Sequence, residues 1–356
     1  KTAYLIDIVH NMMLKYFFKR VNSFPLNSVV MKERYGHLYN YYVRYLEIHG
    51  HIILKTQYKK GKTSRIYQLS QTIINGKIHR YRNADNILLK KYIRRNHNFE
   101  VNTNSLIPHA VKDKLISDLY RSEIEHDKCN NYLESLKLEK DMIYQRNKYS
   151  VDSINDGHIF YHFDHYGRMH TNFTILKSFI RKNCLLIDGS RTCEFDIPNS
   201  QPLFLSVIIQ DSKTRWVKDE EFEKFILLLK NGNFYQYLVD ELRLDDKNDA
   251  KSITYKVLFG KNHFNSKSDK MFMSIFPTIH NFIRLYKKEH GDYRILAYSL
   301  QKMESSFIFE NVIQKIMIVD GNIPLLTVHD SIITTNDNKN IVSDIFNREL
   351  NLYFGW

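Results

Sequence analysis

Apolar residues recur at helical spacing in the first fifty positions of the chain. They run through residues 5–18 and, after a break at residues 23–25, through a Tyr-rich stretch at residues 28–48. The pattern then changes to two short strand-like runs, residues 52–54 and 65–69, separated by a turn. This pattern predicts two or three helices followed by a β-hairpin.

The tip of this predicted hairpin is basic. Lys59, Lys60 and Lys62 lie in the turn, and Arg65 opens the return strand. Helices followed by such a hairpin resemble a winged helix-turn-helix, in which cations at the hairpin tip would contact phosphates. A solvated turn that happens to be basic is the alternative.

Residues 76–155 are strongly basic at first and then rich in helix formers. Tyrosines are interleaved with cations at residues 79–82 and 90–95, a composition that suits contact with a nucleic-acid backbone, although a helix with a charged outer face gives the same pattern. Residues 111–146 contain few helix breakers. They predict one long helix or a helical hairpin.

A tight β-hairpin is predicted in the second half of the chain. Strand-like runs at residues 185–187 and 191–195 flank Asp188-Gly189, the strongest short hairpin signal in the sequence. The second strand runs directly into Asp196. Taken alone, an acid at such a point is most often a turn former or a helix cap.

A histidine and an acid interrupt an apolar, β-branched run at residues 323–334. These residues are His329 and Asp330. Burying the charge of Asp330 in a strand would be costly unless a metal ion or a cation compensated it. A polar turn at the tip of a hairpin is the alternative interpretation.

One predicted helix carries cations and aromatic rings at intervals of four residues. Lys247, Lys251, Tyr255 and Phe259 fall on one slowly drifting stripe, and Gly260 ends the run. Cations suit phosphates and rings suit bases. An ordinary amphipathic helix, with its rings in the core and its lysines at the edge, is the alternative.

The composition of the chain favours some classes of protein and argues against others. The 356 residues carry a formal net charge of +13, which indicates a polyanionic partner, and a hydrophobic fraction of 43% indicates a folded chain. The three cysteines show no paired spacing, which argues against a disulfide framework or a cysteine zinc site and favours a reducing compartment. No apolar run approaches the ~20 residues of a membrane span, so no membrane partner is expected.

The order of these elements resembles motifs A, B and C of the family A DNA polymerases. Asp196 with Gln201 resembles motif A, residues 251–260 resemble motif B, and residues 328–330 resemble motif C. Gly167-Arg168 is similar to a Gly-Arg pair upstream of motif A. The resemblance extends over residues from about 158 to 335, roughly half of the chain.

This resemblance implies a two-metal mechanism. Asp196 and Asp330 would bind two Mg²⁺ ions, for which Mn²⁺ is an acceptable substitute, and His329 would lie next to the primer terminus. The implied nucleotide-binding residues are Lys247, Lys251, Tyr255, Phe259, Gly260 and Gln201. The implied contacts to template and primer are Arg168 and Gln301, with Glu304 as the alternative to Gln301.

Several positions depart from the family pattern. Gln201 stands where DNA polymerases commonly have Glu, and Phe259 stands where they have Tyr, so the hydrogen bond between those two side chains, which excludes a 2′-hydroxyl, is missing. Ser331 follows the His-Asp pair, as in single-subunit phage-type RNA polymerases. Tyr255 argues for a DNA polymerase instead, because the RNA polymerases typically carry a non-aromatic residue there.

The sequence therefore predicts an α+β chain with a right-hand polymerase fold, in which an antiparallel palm sheet is joined by helical fingers and a helical thumb. The predicted regions are a winged-helix-like unit (1–75), a basic thumb-like region (76–155), and palm with fingers (156–356). The predicted activity is a small, exonuclease-less DNA-dependent DNA polymerase that uses a template-primer and nucleoside triphosphates.

Two other functions stay open on the sequence. One is a single-subunit RNA polymerase or primase-polymerase, and the other is a non-catalytic DNA-binding replication initiator. The Lys-, Asn-, Ile- and Tyr-rich composition indicates an AT-rich phage or plasmid as the source. That origin would place the chain in a bacterial cytoplasm, with replication proteins of the same element as partners.

Overall fold

Helices and antiparallel strands are combined in the computed structural model of the protein, which confirms the predicted α+β class. The structure describes residues 2–19, 22–59, 63–75, 107–139, 141–164, 166–212, 217–262 and 266–355. The basic runs at residues 79–82 and 90–95 lie outside the described residues, and so do Lys60 and Lys62 of the hairpin tip.

The elements follow one another as mixed helices and strands. The helices are α1 (Thr2–Lys19), α2 (Ser28–Tyr35), α3 (Tyr39–Ile48), α4 (Gln71–Ile74), α5 (His109–Leu119), α6 (His126–Glu139), α7 (Asp141–Asn155), α8 (Ser178–Cys184), α9 (Ser200–Asp211), α10 (Asp219–Lys230), α11 (Phe234–Leu242), α12 (Lys247–Phe259), α13 (Lys267–Ile275), α14 (Pro277–Glu289), α15 (Ile295–Ser306), α16 (Gln314–Val319) and α17 (Lys339–Phe354). A π-helical segment, Phe307–Ile313, joins α15 to α16. The strands are β1 (Phe24–Leu26), β2 (Ile52–Thr56), β3 (Arg65–Leu69), β4 (Ser122–Ile124), β5 (Tyr161–Phe163), β6 (Met169–Thr171), β7 (Leu185–Ile187), β8 (Ser190–Asp196), β9 (Leu326–Val328) and β10 (Ser331–Thr335).

The chain divides into two compact units. The first contains residues 1–103, 124–159 and 175–181, and the second contains residues 104–123, 160–174 and 182–356. The sequence predicted boundaries at residues 75 and 155 instead. Residues 104–123 depart most from that prediction, because they belong to the second unit and not to a helical region shared with α6 and α7.

The first unit contains a small antiparallel sheet with strand order β1-β3-β2. The hairpin β2–β3 has the predicted position, and backbone hydrogen bonds of 3.0 and 3.1 Å between Lys59 and Thr63 close it toward its tip. The sequence pattern does not predict β1. Side chains from α1, α2, α3 and all three strands share one core, which includes Ile8, Met12, Phe24, Met31, Tyr42, Leu46, Ile52 and Tyr67.

Three helices precede the hairpin, within the predicted two or three, because the stretch at residues 28–48 is divided into α2 and α3. Gly36 lies between them with φ of +75°, a left-handed conformation that favours glycine. Its N–H donates to the Lys32 carbonyl and ends α2. Asn27 caps the start of α2, since its side chain accepts a hydrogen bond of 2.8 Å from Val29 N.

The second unit is built on a five-stranded sheet with strand order β4-β7-β8-β10-β9. The predicted hairpin at Asp188-Gly189 is confirmed as β7–β8, and both turn residues have positive φ, 49° and 77°. β10 pairs antiparallel with β8 on one side and with β9 on the other. Helix α9 follows β8 and is buried along most of its length.

For residues 111–146 the sequence predicts one long helix or a helical hairpin, and the structure shows a strand within this range. Helix α5 ends at Leu119, and β4 separates it from α6 and α7. Ser122 Oγ donates a 3.1 Å hydrogen bond to the Asp118 carbonyl, and the Arg121 carbonyl accepts one of 2.9 Å from Asp188 N. These contacts satisfy backbone groups where α5 stops and start the edge strand of the sheet.

A buried carboxylate links α5 to the segment that leads into β9. The Asp118 side chain is 1% exposed and accepts hydrogen bonds from Lys114 Nζ (2.6 Å), Arg121 Nη1 (3.0 Å) and Leu325 N (2.9 Å). Two cations and a backbone N–H therefore compensate the cost of burying this charge. The link explains why α5 belongs to the second unit.

A buried lysine joins α14 to the end of α12. Lys287 is 3% exposed, and its ammonium donates to the carbonyls of Val257 (2.7 Å) and Gly260 (2.9 Å). Burial lowers the pKa of Lys287 to about 8. The contact satisfies carbonyls at the helix C-terminus and places a cation at the negative end of the helix dipole.

We expect Asp118→Ala to reduce the free energy of unfolding by about 3 kcal/mol, because the change leaves Leu325 N–H and two cations without their buried acceptor. Glu123→Ala is the matched control, since Glu123 is an exposed acid of β4. Urea unfolding of both variants measures the difference. Equal stability of the two variants would contradict the role given to Asp118.

Candidate active site

The two acids singled out in the sequence lie where two adjacent strands meet their connecting segments. Asp196 is the last residue of β8 and pairs with Ser331, the first residue of β10. Asp330 immediately precedes Ser331, and its carbonyl accepts a hydrogen bond of 3.3 Å from Ile197 N. The β8–β10 register thus brings Asp196, at the end of β8, next to Asp330, which precedes the start of β10.

His329 and Asp330 form the turn between β9 and β10, as the alternative interpretation of this segment expected. His329 is exposed and has φ of +57°, while Asp330 is half-buried. The ring of His329 lies 6.3 Å from the ring of His170. His170 Nε2 in turn lies 2.8 Å from Asp164 Oδ2, so a second His-Asp pair borders the turn.

The acids form a locally negative site. Although Asp196 is exposed, desolvation by the surrounding protein, the charge of Asp330 and that of Glu194 raise the pKa of Asp196 to about 7. Burial also raises the pKa of Asp330, against the opposing charges of Arg168 and Lys251. Two carboxylates that raise each other's proton affinity form a site that a divalent cation would stabilise.

The described residues contain no group of three or more acidic, histidine or cysteine side chains placed to hold a metal ion. Asp196 and Asp330 are therefore a two-carboxylate site. Such a site fits Mg²⁺, which commonly binds one or two carboxylates and completes its coordination with water and substrate phosphates.

A fully buried carboxylate holds neighbouring side chains of the site in place. Glu304 on α15 is 1% exposed and accepts hydrogen bonds from Arg168 Nη2, Ser200 Oγ (2.8 Å) and Gln201 Nε2. Burial raises the pKa of Glu304, and the charge of Arg168 opposes that shift. Glu304 thus holds Arg168 and Gln201 in fixed positions.

This network includes one of the two candidates on α15. Glu304 contacts Arg168, whereas Gln301 is half-buried and makes no hydrogen bond to any described residue of the site. The sequence placed Gln301 among the nucleic-acid contacts. The structure brings Glu304, the alternative to Gln301, to Arg168, and the contact to nucleic acid stays a prediction.

Helix α12 presents its predicted stripe to the two carboxylates. The helix starts after an Asp246 cap, which the sequence did not single out, and ends at Phe259 before Gly260, as predicted. The charge of Lys251 acts on both acids, and the nearby charge of Asp330 contributes, after burial, to a raised pKa of Tyr255. The rings of Tyr255 and Phe259 lie 5.3 Å apart.

The ends of the stripe are placed differently from its centre. Lys247 is exposed in the first turn of α12, and in the described part of the chain it makes no hydrogen bond or ion pair with the acids. Gly260 closes the helix, and a Cβ there would collide with the carbonyl oxygen of Lys256. Only glycine therefore fits at the end of α12.

The sequence missed several side chains that the structure adds to the site. Tyr235 on α11 forms a hydrogen bond with Tyr255, and its ring centre lies 6.0 Å from Lys251 Nζ. Ser200 and Lys182 also belong to the surroundings of the acids. Their contacts depend on the tertiary packing of α11, α9 and α8, for which a single sequence carries no local signal.

The predicted hairpin cations belong to the other unit. Lys59 and Arg65 are exposed on the β2–β3 hairpin of the first unit. Lys60 and Lys62 lie between them, outside the described residues.

Comparisons with known proteins leave the site to be interpreted from its own geometry. No protein-family model matches the chain, and no curated protein matches its sequence. The described part of the chain contains no helix with the length and apolarity needed to cross a membrane.

The raised pKa of Asp196 predicts a pH-dependent stability in metal-free buffer. The folded chain keeps this proton up to about pH 7, whereas an unfolded chain loses it near the ordinary value of 3.8. The stability that this proton contributes is therefore lost as the pH rises from about 4 through 7. We expect the melting temperature in EDTA to fall over this range.

Asp196→Asn should flatten that fall, because the amide does not titrate. Asp337→Asn serves as the control, since Asp337 is an exposed acid beyond the far end of β10. Thermal melting at pH 5, 6, 7 and 8 makes the comparison. Parallel pH profiles for wild type and Asp196→Asn would refute the electrostatic coupling of the two acids.

Proposed function

We propose that the chain is a template-directed nucleotidyltransferase, a small DNA polymerase that joins nucleotides from triphosphates to a primer. The observation that carries the proposal is the placement of Asp196 beside Asp330 under a helix that presents Lys251 and Tyr255. The three segments that resemble motifs A, B and C are thus neighbours in space as well as ordered in sequence.

The elements of the second unit support a right-hand arrangement. The five-stranded sheet, with the acids at the ends of its strands β8 and β10, corresponds to the palm. Helices α10 to α14 correspond to the fingers, of which α12 is the helix that approaches the acids. The helical pair α6–α7 of the first unit corresponds to the thumb.

Asp196 and Asp330 would hold two Mg²⁺ ions. When bound, these ions would activate the primer 3′ oxygen and stabilise the leaving pyrophosphate. The carboxylates fit this role, because each is destabilised by the charge of the other in their absence.

The side chains of α12 would bind and orient the incoming nucleotide. The ammonium of Lys251 is exposed and close enough to the acids for its charge to act on both, a position suited to triphosphate oxygens. The half-buried rings of Tyr255 and Phe259 offer apolar surfaces for the sugar and the base. Arg168, fixed by Glu304, and the exposed His329 would contact the primer end.

Use of ribonucleotides is a second candidate, favoured by one specific contact. The amide of Gln201 donates to Glu304, and Phe259 has no hydroxyl, so the pairing that would exclude a 2′-hydroxyl is not formed by these two residues. Primer extension with dNTPs and rNTPs in parallel separates a DNA polymerase from an RNA polymerase or primase.

We expect Asp330→Ala to reduce primer extension on a DNA template with Mg²⁺ to background, while template-primer affinity stays close to that of wild type. The change removes a metal ligand and a negative charge but no cation that could contact phosphates. Asp337→Ala, with the same loss of charge at an exposed position, should extend normally. Extension by Asp330→Ala at the wild-type rate would disprove the assignment.

Lys251→Ala should raise the KM for the nucleoside triphosphate about tenfold, equivalent to roughly 1.4 kcal/mol of lost binding. Lys256→Ala is the matched control, because Lys256 is an exposed lysine of α12 on a different face of the helix. Steady-state extension at varied triphosphate concentration gives both values. An equal KM for the two variants would remove Lys251 from the nucleotide site.

A further inference from the structure

The first unit contains a second surface suited to nucleic acid, apart from the carboxylate site. Helices α2 and α3 are joined by the short turn at Gly36, and the β2–β3 hairpin follows α3 directly. With α1 before β1 and the strand order β1-β3-β2, this is the arrangement of a winged helix-turn-helix. In a helix-turn-helix the second helix enters the major groove of DNA.

Helix α3 has one face in the core and another that carries groups able to read bases. Its buried residues are Tyr39, Tyr42, Val43 and Leu46. Its exposed residues are Asn40, Tyr41, Arg44, Tyr45 and Ile48. Asn40 and Arg44 are four residues apart and therefore lie one above the other on the exposed face.

The chemistry of these two residues matches the edges of base pairs. An asparagine amide can pair with adenine through two hydrogen bonds, and an arginine guanidinium can pair with guanine in the same way. The exposed ring of Tyr41 and the aliphatic side chain of Ile48 offer apolar contact to thymine methyl groups. A helix that served only to pack against the core would not need these exposed polar and aromatic side chains.

The charge around α3 is strongly positive. Residues 22–75 contain eight lysines and arginines against two glutamates, a surplus of six positive charges. Lys55, Lys59 and Arg65 of the hairpin are exposed. A polyanion is therefore the partner that this surface would attract.

A groove of about 790 Å³ separates α3 from the hairpin. Asn40 and Arg44 line it from the helix, and Tyr58 and Arg65 line it from the hairpin. Glu47 is the acid among the lining residues, and its carboxylate could accept a hydrogen bond from a cytosine amino group. A DNA strand in this groove would have guanidinium groups on both sides.

We propose that α3 binds in the major groove of duplex DNA and reads its sequence through Asn40 and Arg44, while Lys55, Lys59 and Arg65 contact the flanking phosphates. The chain would thus recognise a particular double-stranded site independently of the nucleotide chemistry at Asp196 and Asp330. This gives it a means of choosing where on a DNA molecule it acts.

Selection from a library of random DNA duplexes tests the proposal, with the full chain and with neither nucleotide nor divalent cation present. We expect a preferred sequence to emerge. Because no catalytic step is involved, the result stands or falls separately from primer extension. Failure to enrich any duplex sequence, or binding confined to single strands or to RNA, would overturn the proposal.

Variants then separate base reading from phosphate contact. Asn40→Ala and Arg44→Ala should each weaken binding to the selected duplex about tenfold or more and relax the preference at one base pair. Arg44→Lys keeps the charge but loses the bidentate geometry, so it should lose preference and still bind random duplexes. Lys55→Ala and Lys59→Ala should weaken all duplexes alike and lower the salt slope by about one.

Lys128→Ala is the matched control, because Lys128 is an exposed lysine of α6 in the same unit. It should bind the selected duplex like wild type. Thermal melting confirms that each variant is folded. If Arg44→Ala lowers affinity for selected and random duplexes by the same factor, α3 does not read bases.

Discussion

The antiparallel register between β8 and β10 is the constraint on which the candidate site depends. It places Asp196 opposite Ser331 and therefore beside Asp330, although 133 residues separate the two acids in the sequence. A slip of one residue would turn every side chain of β10 to the other face of the sheet. All five residues of β10 are buried, so the surrounding core opposes such a slip. The packing of β10 thus keeps the two acids together, although their negative charges repel each other.

The second requirement is the buried carboxylate of Glu304. A charge in this position is costly by itself, and the structure compensates it with one guanidinium, one hydroxyl and one amide. The same bonds fix Arg168 and Gln201, which come from segments on either side of β8 in the sequence. Glu304 therefore fixes the side chains next to the acids, and the strand register fixes the positions of the acids themselves.

Local signals in the sequence predicted several elements closely. Helix α12 ends before Gly260, and the β7–β8 turn has the Asp-Gly pair that its backbone conformation requires. These predictions succeed because helix ends and left-handed turns are decided by a few neighbouring residues. The same reasoning placed Asp196 at the end of a strand.

Predictions failed where distant contacts or a single glycine decide the structure. Gly36 divides a stretch whose apolar spacing suggests one helix. Strand β1 is three residues long and contains Pro25, so only its pairing with β3 makes it a strand. The sequence left Gln301 and Glu304 as alternatives, because packing decides which side of α15 faces Arg168.

The lysine bond between α14 and α12 has a mechanical consequence. Lys287 holds the carbonyls at the end of α12, and its neutral form, which burial favours above about pH 8, would hold them less strongly. If α12 approaches or leaves the carboxylates, α14 must travel with it as part of one rigid lever. The two helices would then transmit a displacement at one end of the lever to the other.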